Sequence, residues 1–69
     1  MTQKQMILQH LQMIGHISQY EALMTHGIMR LASRINELRD DGHQIKTDMV
    51  KSVNGSMYAR YRLIKKEGE

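Results

Sequence analysis

Apolar side chains recur every three or four positions from Met6 to Leu38 and every second position from Ile45 to Leu63, so the chain divides into a helical half and a strand half. Met6, Ile7, Leu11 and Ile14 follow Thr2, a good N-cap, and glutamines fill the remaining face. This predicts a helix from Gln3 to Ile14, stopped by Gly15. His16-Ile17 then forms an extended link able to pair as a minor strand. Ser18-Gln19-Tyr20-Glu21 has the form of a capping box, in which serine and glutamate satisfy each other's amides. A second helix from Gln19 to Thr25 is expected to bury Tyr20, Leu23 and Met24, which fall at i, i+3 and i+4. His26-Gly27 offers the positive φ of a tight helix-to-helix turn. Ile28, Leu31, Ile35 and Leu38 then share one face of a third helix, Met29 to Asp41, with Gly42 just past its end.

From Gln44 the pattern predicts two antiparallel strands, with Ile45, Thr47 and Met49 on one and Met57, Ala59, Tyr61 and Leu63 on the other. A two-residue turn at Asn54-Gly55 would set Met49 against Arg60 and put charge on the buried side. A three-residue loop, Val53-Asn54-Gly55, with Gly55 left-handed in a G1 bulge, instead pairs Met49 with Ala59, Thr47 with Tyr61 and Ile45 with Leu63. That register also sets Asp48 opposite Arg60, a favourable cross-strand pair, and Lys46 beside Arg62, an unfavourable one unless an anion lies between them.

The order helix, short strand, helix, turn, helix, hairpin defines an α+β winged helix-turn-helix, three helices followed by a two-stranded β-hairpin wing. It occupies residues 1–64, and the charged residues 65–69 are expected to fray. The segments Thr2-Gln3-Lys4-Gln5, Gly27-Ile28-Met29-Arg30-Leu31-Ala32-Ser33-Arg34-Ile35, Glu37-Leu38-Arg39, Gly42 and Asn54-Gly55-Ser56-Met57-Tyr58-Ala59-Arg60-Tyr61-Arg62-Leu63 resemble a group of short helix-turn-helix proteins common in bacteriophage and prophage genomes. The resemblance implies double-stranded DNA as the partner and says little about the biological target.

Composition narrows the setting. There is no cysteine, so neither a disulfide framework nor a thiolate metal site is available, and a reducing compartment is expected. No apolar run approaches the roughly 20 residues that span a bilayer. The first segment carries only Lys4 and no leader-like apolar stretch, so Met1 is the expected start and the bacterial cytoplasm, at the nucleoid when bound, the expected location. The net charge of +3 is uneven. Before Gln44, Lys4, Arg30, Arg34 and Arg39 are balanced by Glu21, Glu37, Asp40 and Asp41, so the excess lies in the strand half and the tail. The four histidines are widely spaced and no zinc site or other cofactor is expected. The seven methionines are expected to serve as adaptable core packing. With no nucleophile elbow, glycine-rich phosphate loop or helical His-Glu-x-x-His, an enzyme is not expected.

Turning Leu31, Ile35 and Leu38 inward points Arg30, Ser33, Asn36, Glu37 and Asp40 outward, with Arg34 on the flank. The basic N-terminal half suits the major groove, and Arg30, Ser33 and Arg34 are the candidate base and phosphate contacts. In the wing, Lys51, Asn54, Ser56 and Arg60 supply the cations and small donors wanted at an adjacent groove or its phosphates. Glu37 is a lesser candidate for cytosine, and the amides at Ser18 and Gln19 for a phosphate. A small sequence-specific DNA binder follows, a phage or prophage transcriptional regulator or an excisionase-like factor. One module offers few contacts, so homodimerisation, through the first helix or the wing, is expected to raise its affinity. The rival expectation is a phage-encoded protein-binding module or inhibitor of a host enzyme or defence complex, motivated by the acidic Glu37, Asp40 and Asp41.

Overall fold

The computed structural model describes residues 1–64, and the expectation of a frayed tail at 65–69 lies outside them. Thr2 caps α1 (Gln3–Ile14) in a full capping box with Gln5, its hydroxyl accepting the Gln5 amide at 3.1 Å while the Gln5 side chain accepts the Thr2 amide at 2.9 Å. Next come β1 (His16–Ser18), α2 (Gln19–His26), α3 (Leu31–Asp40), β2 (Ile45–Lys51) and β3 (Met57–Leu63). The strands form one antiparallel sheet in the order β1-β3-β2.

The register of the wing is the one its apolar alternation dictates. Ile45 pairs with Leu63, Thr47 with Tyr61, Asp48 with Arg60 and Met49 with Ala59. At the tip the Ser52 amide donates to Ser56 and the Gly55 amide to Ser52, at 2.7 and 3.0 Å, which leaves Val53, Asn54 and Gly55 as the loop. Gly55 has φ 91°, where a side chain would be strained.

The core is built from Ile7 and Leu11 of α1, Ile17 of β1, Ala22 of α2, Ile28, the Leu31-Ile35-Leu38 face of α3 and Ile45 of β2. Ile14 is exposed rather than buried, because the helical stripe on which it lies runs past the end of the packed layer. The stripe expected to bury α2 is also corrected. Tyr20, Leu23 and Met24 lie at the surface and Ala22 is the residue that enters the core. Two contacts set this roll of the helix: the capping box ties Glu21 back to the Ser18 amide, and the Gln19 side chain reaches across to α3. The methionines do not pack the core either; six of the seven are exposed and Met6 is half-buried.

α2 ends in a Schellman motif. Gly27 at φ 69° donates its amide to Leu23 at 2.9 Å, and the Ile28 amide bonds Ala22 at 3.1 Å. The chain then bends at Met29 and passes through a non-helical Arg30, so α3 begins at Leu31, two residues later than its periodicity predicts. Asp41, whose charge opposes the helix dipole, bonds Lys4 of α1 at 2.7 Å, and this contact raises the Lys4 pKa.

Folding also joins two histidines that are far apart in sequence. His10 Nδ1 lies 3.2 Å from His26 Nε2, with the rings edge to face. Burial pushes the His10 pKa below its ordinary 6.5, reinforced by His26 and His16 and opposed by Glu21. The unfolded chain therefore takes up a proton near pH 6.5 that the folded chain refuses, and stability declines as the pH falls from 7.5 toward 5.5. Urea denaturation across that interval measures the loss, and His10→Leu is expected to flatten the profile. Equal slopes for the two proteins would place the titration elsewhere.

Candidate nucleic-acid interface

α3 presents three strips around its buried face. Ala32 and Arg39 turn toward the sheet: Ala32 lines a cleft with Tyr58 and Tyr61, and Arg39 reaches β2. Arg34, Glu37 and Asp41 turn toward α1, where Lys4 meets Asp41. Between them the outward ridge carries Ser33, half-buried, and Asn36 and Asp40, exposed. Arg30 stands exposed at the N-cap of α3 and makes no capping bond with its side chain. Arg30 and Ser33 thus share the N-terminal end of the ridge. Arg34 lies on the far flank, held by Glu37 at 3.2 Å, so each charge of the pair is partly spent on the other. Asn36 joins Arg30 on the exposed surface, beside the half-buried Ser33, and its side-chain amide has the donor and acceptor pair that adenine presents in reverse.

The start of α3 is organised by α2. The Gln19 Oε1 accepts the Leu31 amide at 3.0 Å and its Nε2 donates to the Ile28 carbonyl at 2.8 Å. Arg30 provides no cap, so Gln19 takes that part from another helix and fixes both ends of the turn. This occupies the Gln19 side chain, whereas the group expected to meet a phosphate is its backbone amide. Ser18, the other candidate there, is buried and engaged in its capping box.

Alternation places the wing candidates on two faces. Lys51 shares a face with Met49, Met57 and Ala59, whereas Arg60 lies on the opposite one with Asp48 and Arg62, beside Ser18 of β1. Asp48 does not bond its direct neighbour Arg60; its carboxylate takes the Arg62 guanidinium diagonally at 2.9 Å. That bond holds the Asp48 carboxyl below its ordinary range and partly neutralises the Lys46 and Arg62 pair. Arg60 keeps a buried Nε with no partner among the described residues. At the tip, Asn54 Oδ1 accepts the Ser56 amide at 3.2 Å, the Ser56 hydroxyl at 2.6 Å and the Ser52 hydroxyl. The carbonyl of Asn54 and the proton of Ser56 are therefore used inside the loop, and the Asn54 amide is the donor left facing outward.

The wing and α3 are mechanically joined. Arg39 donates to the Ile45 carbonyl through Nε at 3.0 Å and Nη2 at 2.8 Å, and to Thr47 Oγ1 at 3.1 Å. Nothing in the local pattern around Arg39 reveals this latch, because its acceptors become neighbours only when the chain reverses at Gly42. No group of three His, Asp or Glu side chains among the described residues is placed to hold a metal ion, and no described helix is long and apolar enough to cross a membrane.

Three helices, a sheet closed by a hairpin and a helix whose exposed ridge stands beside that hairpin define a winged helix-turn-helix. A family model described as a winged helix-turn-helix domain matches residues 2–66, and the chain belongs to that family. Membership points to DNA as the partner. No curated protein and no solved structure matches the chain.

Proposed function

We propose that this protein is a sequence-specific double-stranded DNA binder, a phage or prophage regulator of transcription or an excisionase-like factor acting in the bacterial cytoplasm. The observation that carries the reading is the exposed ridge at the start of α3, with Arg30, Ser33 and Asn36, standing beside a wing that bears Lys51 and Arg60. The ridge enters the major groove by its N-terminal end, because its C-terminal end carries Asp40 and would repel phosphate. Lys51 and the Asn54 amide meet the flanking backbone, and Arg60 meets phosphate from the opposite face of the hairpin. Arg34 contributes field more than contact, since Glu37 holds it.

Selection of bound duplexes from a random pool, followed by salt titration on the selected sequence, tests the reading. A selected motif and a log K that falls linearly with log salt are expected. Lys51→Ala should weaken selected and unselected duplexes alike and lower the salt slope by about 1, whereas Arg30→Ala should relax preference at the base it contacts. Absence of binding to any duplex at low salt would overturn the DNA reading, and parental behaviour of both variants would move the docking face elsewhere.

A further inference from the structure

An amphipathic helix of a small domain normally turns its apolar stripe inward, and α2 does the reverse. Ala22 is fully buried, while Tyr20, Leu23 and Met24 are 71%, 44% and 66% exposed. The ridge they form carries no charge, since Glu21 is turned to the Ser18 amide and toward His16 and since His26 is turned to His10. Tyr20 and Tyr58, the latter 40% exposed, line one cleft of about 520 Å³, so the apolar surface continues from the ridge onto β3. Contiguous exposed apolar surface of this kind marks a contact site.

From this surface we infer that a second copy of the chain docks on the α2 ridge, the two helices packing antiparallel across a two-fold axis. Tyr20 and Met24 are one helical turn apart, so reversing one helix sets Tyr20 of each copy against Met24 of the other and brings the two Leu23 side chains together. The pairing is self-complementary, as an isologous contact requires, and each methionine sulfur meets an aromatic ring. The ridge is uncharged on a chain of net charge +3, so two copies meet where like charges do not oppose them. The area fits this occupant: Tyr20, Leu23, Met24 and Tyr58 expose on the order of 450 Å² per copy, hence about 900 Å² for the pair. A permanent partner needs more, while a weak self-contact that becomes decisive when two copies bind neighbouring DNA sites needs no more than this.

Sedimentation of the full chain without DNA, from about 10 µM to about 1 mM, tests the contact. Wild type should convert from monomer to at least half dimer over that range, corresponding to a Kd of roughly 0.1–1 mM. Tyr20→Glu and Met24→Lys should remain monomeric throughout, and Met13→Lys, which removes an equally exposed methionine from α1, should dimerise like wild type. Dilution of the wild-type protein followed by NMR requires no variant and should move the signals of Tyr20, Leu23, Met24 and Tyr58. A wild type that stays monomeric at the highest concentration, dilution shifts confined to other residues, or loss of association in Met13→Lys overturns the inference. Met24→Lys should bind a single-site duplex like wild type, so a failure of DNA binding is read separately from a failure of the dimer.

Discussion

Gln19→Ala is expected to lower the stability of the domain by about 2 kcal/mol, with a fall in Tm of roughly 10 °C. Two backbone groups lose their partner together, the Leu31 amide at the start of α3 and the Ile28 carbonyl before it. Each net hydrogen bond contributes about 1 kcal/mol, and a small domain has little stability to spare. Because Arg30 offers no capping bond, no side chain on α3 itself replaces the lost acceptor. The first turn of α3 should fray, and that turn carries the proposed base contacts, so DNA affinity should fall although Gln19 touches no DNA in the proposed docking. Gln19→Glu separates the two bonds. It retains an acceptor for Leu31 but sets a carboxylate oxygen against the Ile28 carbonyl, so it should restore only part of the loss. Urea denaturation of the three proteins measures this. A Gln19→Ala protein within about 0.5 kcal/mol of wild type would show that the start of α3 holds without the clamp.

What was legible in the sequence is what short-range rules govern. Thr2, the spacing Ile7 to Leu11 and Gly15 give the bounds of α1, and the alternation of Ile45, Thr47 and Met49 against Ala59, Tyr61 and Leu63 gives the register and loop of the wing. The roll of α2 was not legible, because periodicity identifies an apolar stripe without saying which neighbour it meets. The capping box and Gln19 decide the roll, and Gln19 does so through groups twelve and nine residues away. The late start of α3 has the same origin, since its first amide is capped from α2 and needs no local N-cap. Of the candidate contacts, Ser33 falls half-buried on the outward ridge, as helical rotation predicts, while Arg30 is exposed as the non-helical N-cap of α3. Arg34 lies on the flank that rotation also predicts, paired with Glu37 three residues on, but the Lys4 to Asp41 contact that ties α1 to the end of α3 was not legible. Asn54 was readable as a turn residue and Ser56 as a small donor of the wing, but not that the carbonyl of the one and the hydroxyl of the other would be spent on each other.

Arg39→Ala is expected to reduce DNA affinity by about tenfold or more while costing only about 1 kcal/mol of stability. Arg39 lies on the sheet side of α3, away from the proposed groove contacts, and its guanidinium holds the Ile45 carbonyl with two nitrogens and Thr47 with one of them. The stability cost is small because the side chain is exposed and water can replace part of what is lost. The cost to binding is larger, because α3 and the wing must meet the duplex at the same time. Their separation is fixed at this end by the chain turn at Gly42 and by this latch, and a wing free to swing loses the benefit of being tethered in place. Lysine keeps the charge but presents one compact ammonium group in place of a planar fork, so Arg39→Lys should behave more like alanine than like arginine. That pattern distinguishes a positioning residue from a phosphate contact. If Arg39 met phosphate directly, lysine would restore most of the affinity and the salt slope would recover with it. Titration of a selected duplex with wild type, Arg39→Lys and Arg39→Ala at two salt concentrations resolves the two cases, and full rescue by lysine would reassign Arg39 to the DNA-contacting surface.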